Sequence, residues 1–260
     1  MWRFLAAMSE VRRGRFDAAI LAAAPWRTAR AVSLCRVPVR VGLERRKNVR
    51  WLTHPQAPED ARRPVLAEEA RLLAPFGIVP APLAYRLDAR RLAPRPDVER
   101  ALARRSAALH PFASKRERCV PVPVWIAVAR ALDARGFDVL WLGSTPELNE
   151  VRAQGGHRGW IYVDQFGPRL VDTAAAMARA ALFIGHDSGP LHVAGAFGVP
   201  VVGIFAPGEP ARTFPQGTGP WRMIARPSPD GITADEIVSE ATALLEAPLA
   251  GAGIKNGNDR

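Results

Sequence analysis

Gly185-His186-Asp187-Ser188-Gly189-Pro190-Leu191-His192-Val193-Ala194-Gly195-Ala196-Phe197-Gly198-Val199-Pro200 is the stretch that decides the reading of this 260-residue chain. The residues before it, Ala180-Ala181-Leu182-Phe183-Ile184, form an apolar run that reads as a buried strand. Asp187, Ser188, Gly189 and Pro190 then open a helix. Asp or Ser can cap a first turn, and Pro fits there because its missing N–H has no helical partner to lose. Gly189 lets a ligand approach the backbone with no Cβ in the way. A strand feeding a helix whose first N–H groups point outward is an anion site, and the helix dipole adds roughly 0.3–1 kcal/mol of preference for negative charge. A phosphate-bearing ligand is the expectation.

Outward from this motif, short apolar runs alternate with amphipathic segments, which predicts parallel α/β layers. In the second half, strands are expected at 107–110, 137–142, 160–163, 181–184, 199–205 and 221–225. Helices are expected at 124–135, from about 146, at 171–180, from 188, and at 233–245 with Thr233 as the cap. The first half reads as a helix over 3–13, strands at 17–21, 39–42 and 83–87, and helices at 28–35 and 66–76, the latter ending near Gly77. Arg90-Arg91-Leu92-Ala93-Pro94-Arg95-Pro96 is the expected linker. The domains expected are therefore residues 1–98 and 99–250, with 251–260 as a disordered tail. A doubly wound domain normally opens on a central strand with a ligand-facing loop, and the first half opens on a helix instead.

A length of 260 residues suits two domains or one large α/β unit, and 48% hydrophobic with 23% charged residues is ordinary for a globular chain. No apolar run is long enough to cross a bilayer, and the N-terminus lacks the apolar region and cleavage site of a signal peptide. Cys35 and Cys119 fit no metal or redox spacing, so a reduced, cytoplasmic protein is expected. His54, His157 and His186 show no ligand spacing with Cys, Asp or Glu, and no metal or cofactor is assigned. The net charge of +11 is unevenly spread: residues 1–105 hold 22 basic and 10 acidic side chains, whereas 106–260 hold 14 and 15. The first half thus suits an anionic partner. Nucleic acid is not expected, because aromatics make up only 7% and no zinc-finger or RNA-recognition signature is present.

Ligands in open α/β sheets gather beyond the carboxyl ends of strands. Three such loops offer chemistry: His110-Pro111-Phe112-Ala113-Ser114-Lys115-Arg116-Glu117-Arg118, with a hydroxyl and three cations; Gly143-Ser144-Thr145-Pro146-Glu147, with an acid at a helix start; and the opening motif. At these loops the sequence resembles the heptosyltransferases of glycosyltransferase family nine, which move heptose from ADP-heptose onto the inner core of lipopolysaccharide. Asp187-Ser188-Gly189-Pro190-Leu191-His192 with Gly198-Val199-Pro200-Val201-Val202-Gly203 is similar to the family's Asp-Ser/Thr-Gly-Pro-x-His signature and the strand after it. His110-Pro111-Phe112-Ala113-Ser114 resembles its His-Pro-Gly-Ala-Ser loop, with Phe112 where Gly is usual, and Arg118 stands where the family has Lys. Asp17 to Gly42 resembles a stretch of the family's first domain, and the likeness runs from about residue 16 to 246.

The resemblance implies an α/β, GT-B-like fold of two Rossmann-like domains and an inverting, metal-independent glycosyltransferase at the cytoplasmic face of the inner membrane. Its partners would be an ADP-heptose-like donor, an anionic lipopolysaccharide-core acceptor and, peripherally, the membrane itself. By the same resemblance Ser114 and Arg118 would bind donor phosphates and Glu147 the ribose. Ser188 and Gly189 would hold the diphosphate, with Asp187 and His192 lining the same pocket. Arg118 keeps the charge of Lys with a different geometry, and Phe112 is expected to crowd the phosphates.

Family members begin with a further strand–loop–helix–strand unit whose loop carries a Gly-Asp pair, the Asp being the proposed base. Nothing comparable precedes Met1, and Asp17 lies before its strand rather than after it. The expectation is a first domain that is truncated, no assigned catalytic residue, and slow transfer despite donor binding; a lost base typically costs about 10²–10⁴-fold. Two alternatives stay open: a non-catalytic nucleotide-sugar-binding remnant, and a nucleotide-sugar epimerase of similar architecture. Blander readings also stand beside the sharp ones. Asp187 and Ser188 suit a simple cap, Glu147 complements a helix dipole, His192 suits a packed core, and Arg45-Arg46-Lys47 reads as a solvated loop or a contact for anionic acceptor or lipid.

Overall fold

Apolar runs in the second half become strands buried on both faces, as parallel sheets between helix layers require. In the computed structural model these are β4 (Ser106–His110), β5 (Asp138–Gly143), β7 (Leu182–His186) and β8 (Val201–Phe205), joined by β6 (Ile161–Asp164) and β9 (Trp221–Ala225). The structure describes residues 2–22, 25–57, 63–79, 83–94, 96, 99, 105–164 and 170–247. Contacts divide the chain into two units, Met1–Leu83 and Ala84–Arg260. The boundary expected at 98/99 and the tail expected over 251–260 fall at or within stretches outside the described residues.

In the second unit the strand order is β6-β5-β4-β7-β8-β9, all parallel. The chain runs outward from β4 to β6, then returns to β7 on the other side of β4. The switch point therefore lies between β4 and β7, where open α/β sheets bind ligands. Alternate strand residues feed two cores. On one face Leu109, Trp141, Ile184 and Val202 meet Trp125, Ile126 and Ala129 of α4 (Val122–Asp133). Ile237, Ala241 and Leu244 of α9 (Ala234–Glu246), capped by Thr233, complete that core. On the other face Leu140, Phe183 and Phe205 meet Ala176 and Met177 of α6 (Leu170–Arg179) and Leu191 and Ala194 of α7 (Gly189–Ala196). Truncating a buried Trp such as Trp125 or Trp141, both 0% exposed, costs about 3–5 kcal/mol in cores of this kind.

Glycines permit close approaches within the sheet and between it and α7. A Cβ on Gly203 would stand 3.3 Å from Leu191, and one on Gly185 would stand 3.1 Å from the His110 carbonyl of the neighbouring strand. The helix ends at Gly198, in the left-handed region at φ +80, where the N–H of Val199 returns to the Ala194 carbonyl at 3.2 Å.

The first unit holds α1 (Trp2–Arg13), α2 (Trp26–Leu34), α3 (Val65–Ala70) and a parallel sheet of order β1-β2-β3: Ala18–Leu21, Val39–Leu43 and His54–Gln56. Its largest buried cluster is small, Val41, Leu43 and Leu72 with Val39 packed against them.

The structure corrects several expectations. Leu83–Leu87 joins no sheet: the N–H groups of Tyr85 and Leu87 bond to the carbonyls of Gln216 (2.7 Å) and Ala196 (2.9 Å), a loop and a helix end rather than a ladder. The helix expected over 66–76 tightens after Ala70 into a narrower turn, Arg71–Phe76, that contains Pro75. Within the expected linker, Ala89–Arg91 form a helical turn capped by Asp88, while Arg95 lies outside the described residues. The strand β3 and the short helix α8 (Pro210–Thr213) were not legible. The opening motif also begins one step later than its spelling suggests, since Gly185 and His186 still belong to β7.

Candidate functional site

Three loops leave the carboxyl ends of β4, β5 and β7. After β4, the Phe112 ring does not face the solvent. It is 5% exposed and joins the core, where a Cβ on Gly143 would stand 3.0 Å from it. The larger side chain fills the space that Gly143 of β5 leaves empty, and it also lines the cleft between this loop and the next helix. Ser114 is exposed, and a helical turn over Arg116–Arg118 follows before Val120 and α4.

After β5, Ser144 and Glu147 close a capping box on α5 (Thr145–Ala153). Oε2 of Glu147 accepts both the backbone N–H and the hydroxyl of Ser144, each at 2.7 Å. One carboxylate oxygen is therefore engaged by the fold. A cleft of about 390 Å³ lies between the β4 loop and this helix, and its wall includes Ser114, Arg116, Cys119, Glu147, Glu150 and Gln154. Arg116 pairs with Glu150, which holds its guanidinium above the ordinary arginine range. Burial pushes the Cys119 thiol up, away from the thiolate form a nucleophile needs. Arg118 is not part of this wall; it lies half-buried at the end of the turn.

After β7, Ser188 stands at the N-cap of α7 in extended conformation but makes no side-chain bond to the helix. Its hydroxyl lies 3.1 Å from the His186 carbonyl and 3.3 Å from Nδ1 of His110. A Cβ built on Gly189 meets nothing within 4 Å, so the space over the first turn is open. Near Asp187, the Thr213 hydroxyl lies 3.3 Å from Oδ2 and 3.2 Å from the Glu209 carbonyl, and His192 Nε2 lies 3.7 Å from Oδ1.

The structure thus brings Ser114 and Glu147 to one cleft, and gathers Asp187, Ser188, Gly189 and His192 at one helix start; the β4 and β7 loops meet at the switch point through His110 and Ser188. Sequence reading assigned no role to His186 or Thr213 and named Arg116 only among the three cations of the β4 loop. Nothing in the spacing of Thr213, 26 residues from Asp187, points to their contact. For His186 a signal exists: a polar letter that continues a strand into a motif with Ser188 as its cap.

His186 is 1% exposed, and burial, then the neighbouring His110, lowers its pKa to about 4, with the Ile204 backbone opposing. Its Nε2 accepts the N–H of Val120 at 3.1 Å, so in the neutral ring the proton sits on Nδ1.

Fold and site together define an α/β protein with the strand order of dinucleotide-binding folds and a helix start without a side-chain cap at its switch point. The chain belongs to glycosyltransferase family 9 (heptosyltransferase), whose profile matches residues 4–223. It is a glycosyltransferase by that membership. Among solved structures it is similar to E. coli ADP-heptose lps heptosyltransferase II, at 22% identity and TM-score 0.74, over 92% of this chain and 79% of that one. A family 9 glycosyl transferase from Veillonella parvula matches at 18% identity and TM-score 0.76, over 94% and 79%. E. coli heptosyltransferase WaaC, solved with ADP, matches at 16% and 0.74, over 92% and 77%. These likenesses establish the parallel-sheet, GT-B-like fold expected from the sequence. No curated protein sequence matches the chain. Among the described residues no helix is long and apolar enough to cross a membrane.

Proposed function

We propose that this chain transfers heptose from ADP-heptose to the inner core of lipopolysaccharide, with inversion and without a metal. The observation that carries the reading is the α7 start: a helix N-terminus at the switch point, with open space over Gly189 and no side-chain cap occupying its first N–H groups. In transfer, the acceptor hydroxyl oxygen bonds to the anomeric carbon while the bond from that carbon to the β-phosphate oxygen breaks. ADP departs with the electron pair, and the hydroxyl proton is released. The charge that grows on the leaving diphosphate would meet the α7 N–H groups, the Ser188 hydroxyl and the Arg118 guanidinium. Ser114 would add a donor from the β4 loop, and Asp187 and His192 would line the same wall. Glu147 would use its second oxygen for the ribose, since the first caps α5.

We assign the anionic acceptor to the first unit. Its turn after β2 is built by Asn48, which is 1% exposed. Asn48 donates to the Leu43 carbonyl at 3.0 Å and accepts from the Arg45 N–H at 2.8 Å. Arg45, Arg46 and Lys47 stand exposed on that turn, which suits a phosphorylated core and the anionic face of a membrane, at about 1 kcal/mol per charge near such a surface. The test is incubation with ADP-heptose and lipopolysaccharide-core acceptors with and without heptose, followed by ADP release and product mass. Product is expected. ADP binding without product would reduce the chain to a donor-binding protein, and absence of both would overturn the reading.

A further inference from the structure

The two strands that flank the switch point both end in histidine, and both imidazoles are buried: His110 of β4 at 3% exposure and His186 of β7 at 1%. Each reaches across to the loop that follows the other strand. His110 Nδ1 meets Ser188, on the loop after β7. His186 Nε2 accepts the N–H of Val120, at the close of the loop after β4. The Trp125 ring meets His186 edge-on at 5.5 Å and fixes its plane from α4. The two loops that carry Ser114 and Ser188 are therefore bound to each other by a crossed pair of side chains.

The protons follow from the partners. The His186 carbonyl near Ser188 can only accept, so the serine's single proton goes there at 3.1 Å. Contact with His110 then requires a proton on Nδ1, donated to Ser188 Oγ. That assignment leaves Ser188 unable to donate to His110. When an anion arrives, the hydroxyl can turn its proton from the carbonyl to the ligand and keep the His110 bond. His186, at 1% exposure, touches no ligand and acts through Val120.

We propose that His110 and His186 are positioning residues of the donor site, fixing the β4 and β7 loops at one separation and holding Ser188 as a donor. The proposal rests on the donor reading of that site. It is tested on the full chain with His186→Leu, which removes the acceptor, and His186→Gln, whose Oε1 stands in for Nε2. Calorimetry with ADP should show the dissociation constant rising about tenfold in the Leu variant, the size of one buried hydrogen bond, and recovering in the Gln variant. A purely structural role would lower the melting temperature of the Leu variant and leave ADP affinity unchanged, which would overturn the proposal. If the Leu variant does not fold, His186→Asn replaces it: Asn is too short to reach Val120, so weaker binding than in the Gln variant is expected, and equal binding refutes the tie. Amide exchange over residues 113–120 and at Ser188 needs no ligand. Faster exchange without the His186 acceptor is expected in both loops, and unchanged exchange refutes the tie even if the wild-type chain binds no ADP, a result that would itself fall on the donor reading alone.

Discussion

Two helices of the second unit start from the same ingredients and end in opposite states. Both α5 and α7 follow a buried parallel strand, both have a serine at the N-cap, and both carry a proline in the first turn. At α5 the Ser144–Glu147 box occupies the cap, and Phe112 fills the space beside Gly143. At α7 no side chain caps the turn, Ser188 is drawn back toward His110 and His186, and the space over Gly189 is empty. The same fold closes one helix start with a capping box and leaves the other, where we propose the ligand, without a side-chain cap. The distinction rests on what surrounds the serine more than on the serine.

The sharpest way to break this contrast is to fill the empty side. Gly189→Val places a branched side chain where a Cβ meets no protein atom, so the melting temperature should change little. ADP affinity should fall about a thousandfold, close to 4 kcal/mol, because the chain then occupies the approach to the first-turn N–H groups. Calorimetry and a thermal melt on one sample decide it. Wild-type affinity in Gly189→Val would mean that the open start is not where the anion binds.

What the sequence disclosed follows from burial. β4, β5, β7 and β8 are buried along nearly their whole length, so the hydrophobic effect writes them as apolar runs, and they were readable. His54–Gln56 pairs with β2 with His54 and Pro55 exposed, and left no such mark. The apolar letters of Leu83–Leu87 misled for the converse reason: they lie in a segment outside any sheet, where the N–H groups of Tyr85 and Leu87 go to Gln216 and Ala196. The helix start at Ser188 was legible because Asp, Ser, Gly and Pro together have a local meaning. Its supports were not, since Thr213 and Val120 reach the motif from distant parts of the chain.

Acid should cost the fold stability through a residue on the α7 side of the comparison. Folded His186 has its pKa lowered from 6.5 to about 4, mainly by burial. Between these values the unfolded chain holds a proton that the folded chain excludes. The stabilisation is therefore complete above pH 6.5 and is lost as pH falls toward 4, amounting to about 3 kcal/mol over that window. Denaturant melts across this range should show stability rising with pH, and His186→Leu should flatten the slope. An equal slope in both proteins would assign the acid sensitivity to other groups.

The smallest effect tests the closed side. Glu147→Ala removes the carboxylate that accepts the Ser144 N–H and hydroxyl, so stability should drop by about 1 kcal/mol, the value of a helix cap. If Glu147 also holds the ribose, affinity for ADP should fall while affinity for inorganic pyrophosphate stays unchanged, because pyrophosphate carries no diol. Glu147→Gln separates the roles. Its amide oxygen can still accept at the cap, but it lacks the charge that strengthens a bond from a hydroxyl. A Gln variant with near-normal stability and weakened ADP binding gives Glu147 both tasks at once. Weakened stability with unchanged ADP binding in the Ala variant would instead make α5 a helix that is closed on both sides, leaving α7 as the helix start that serves the donor.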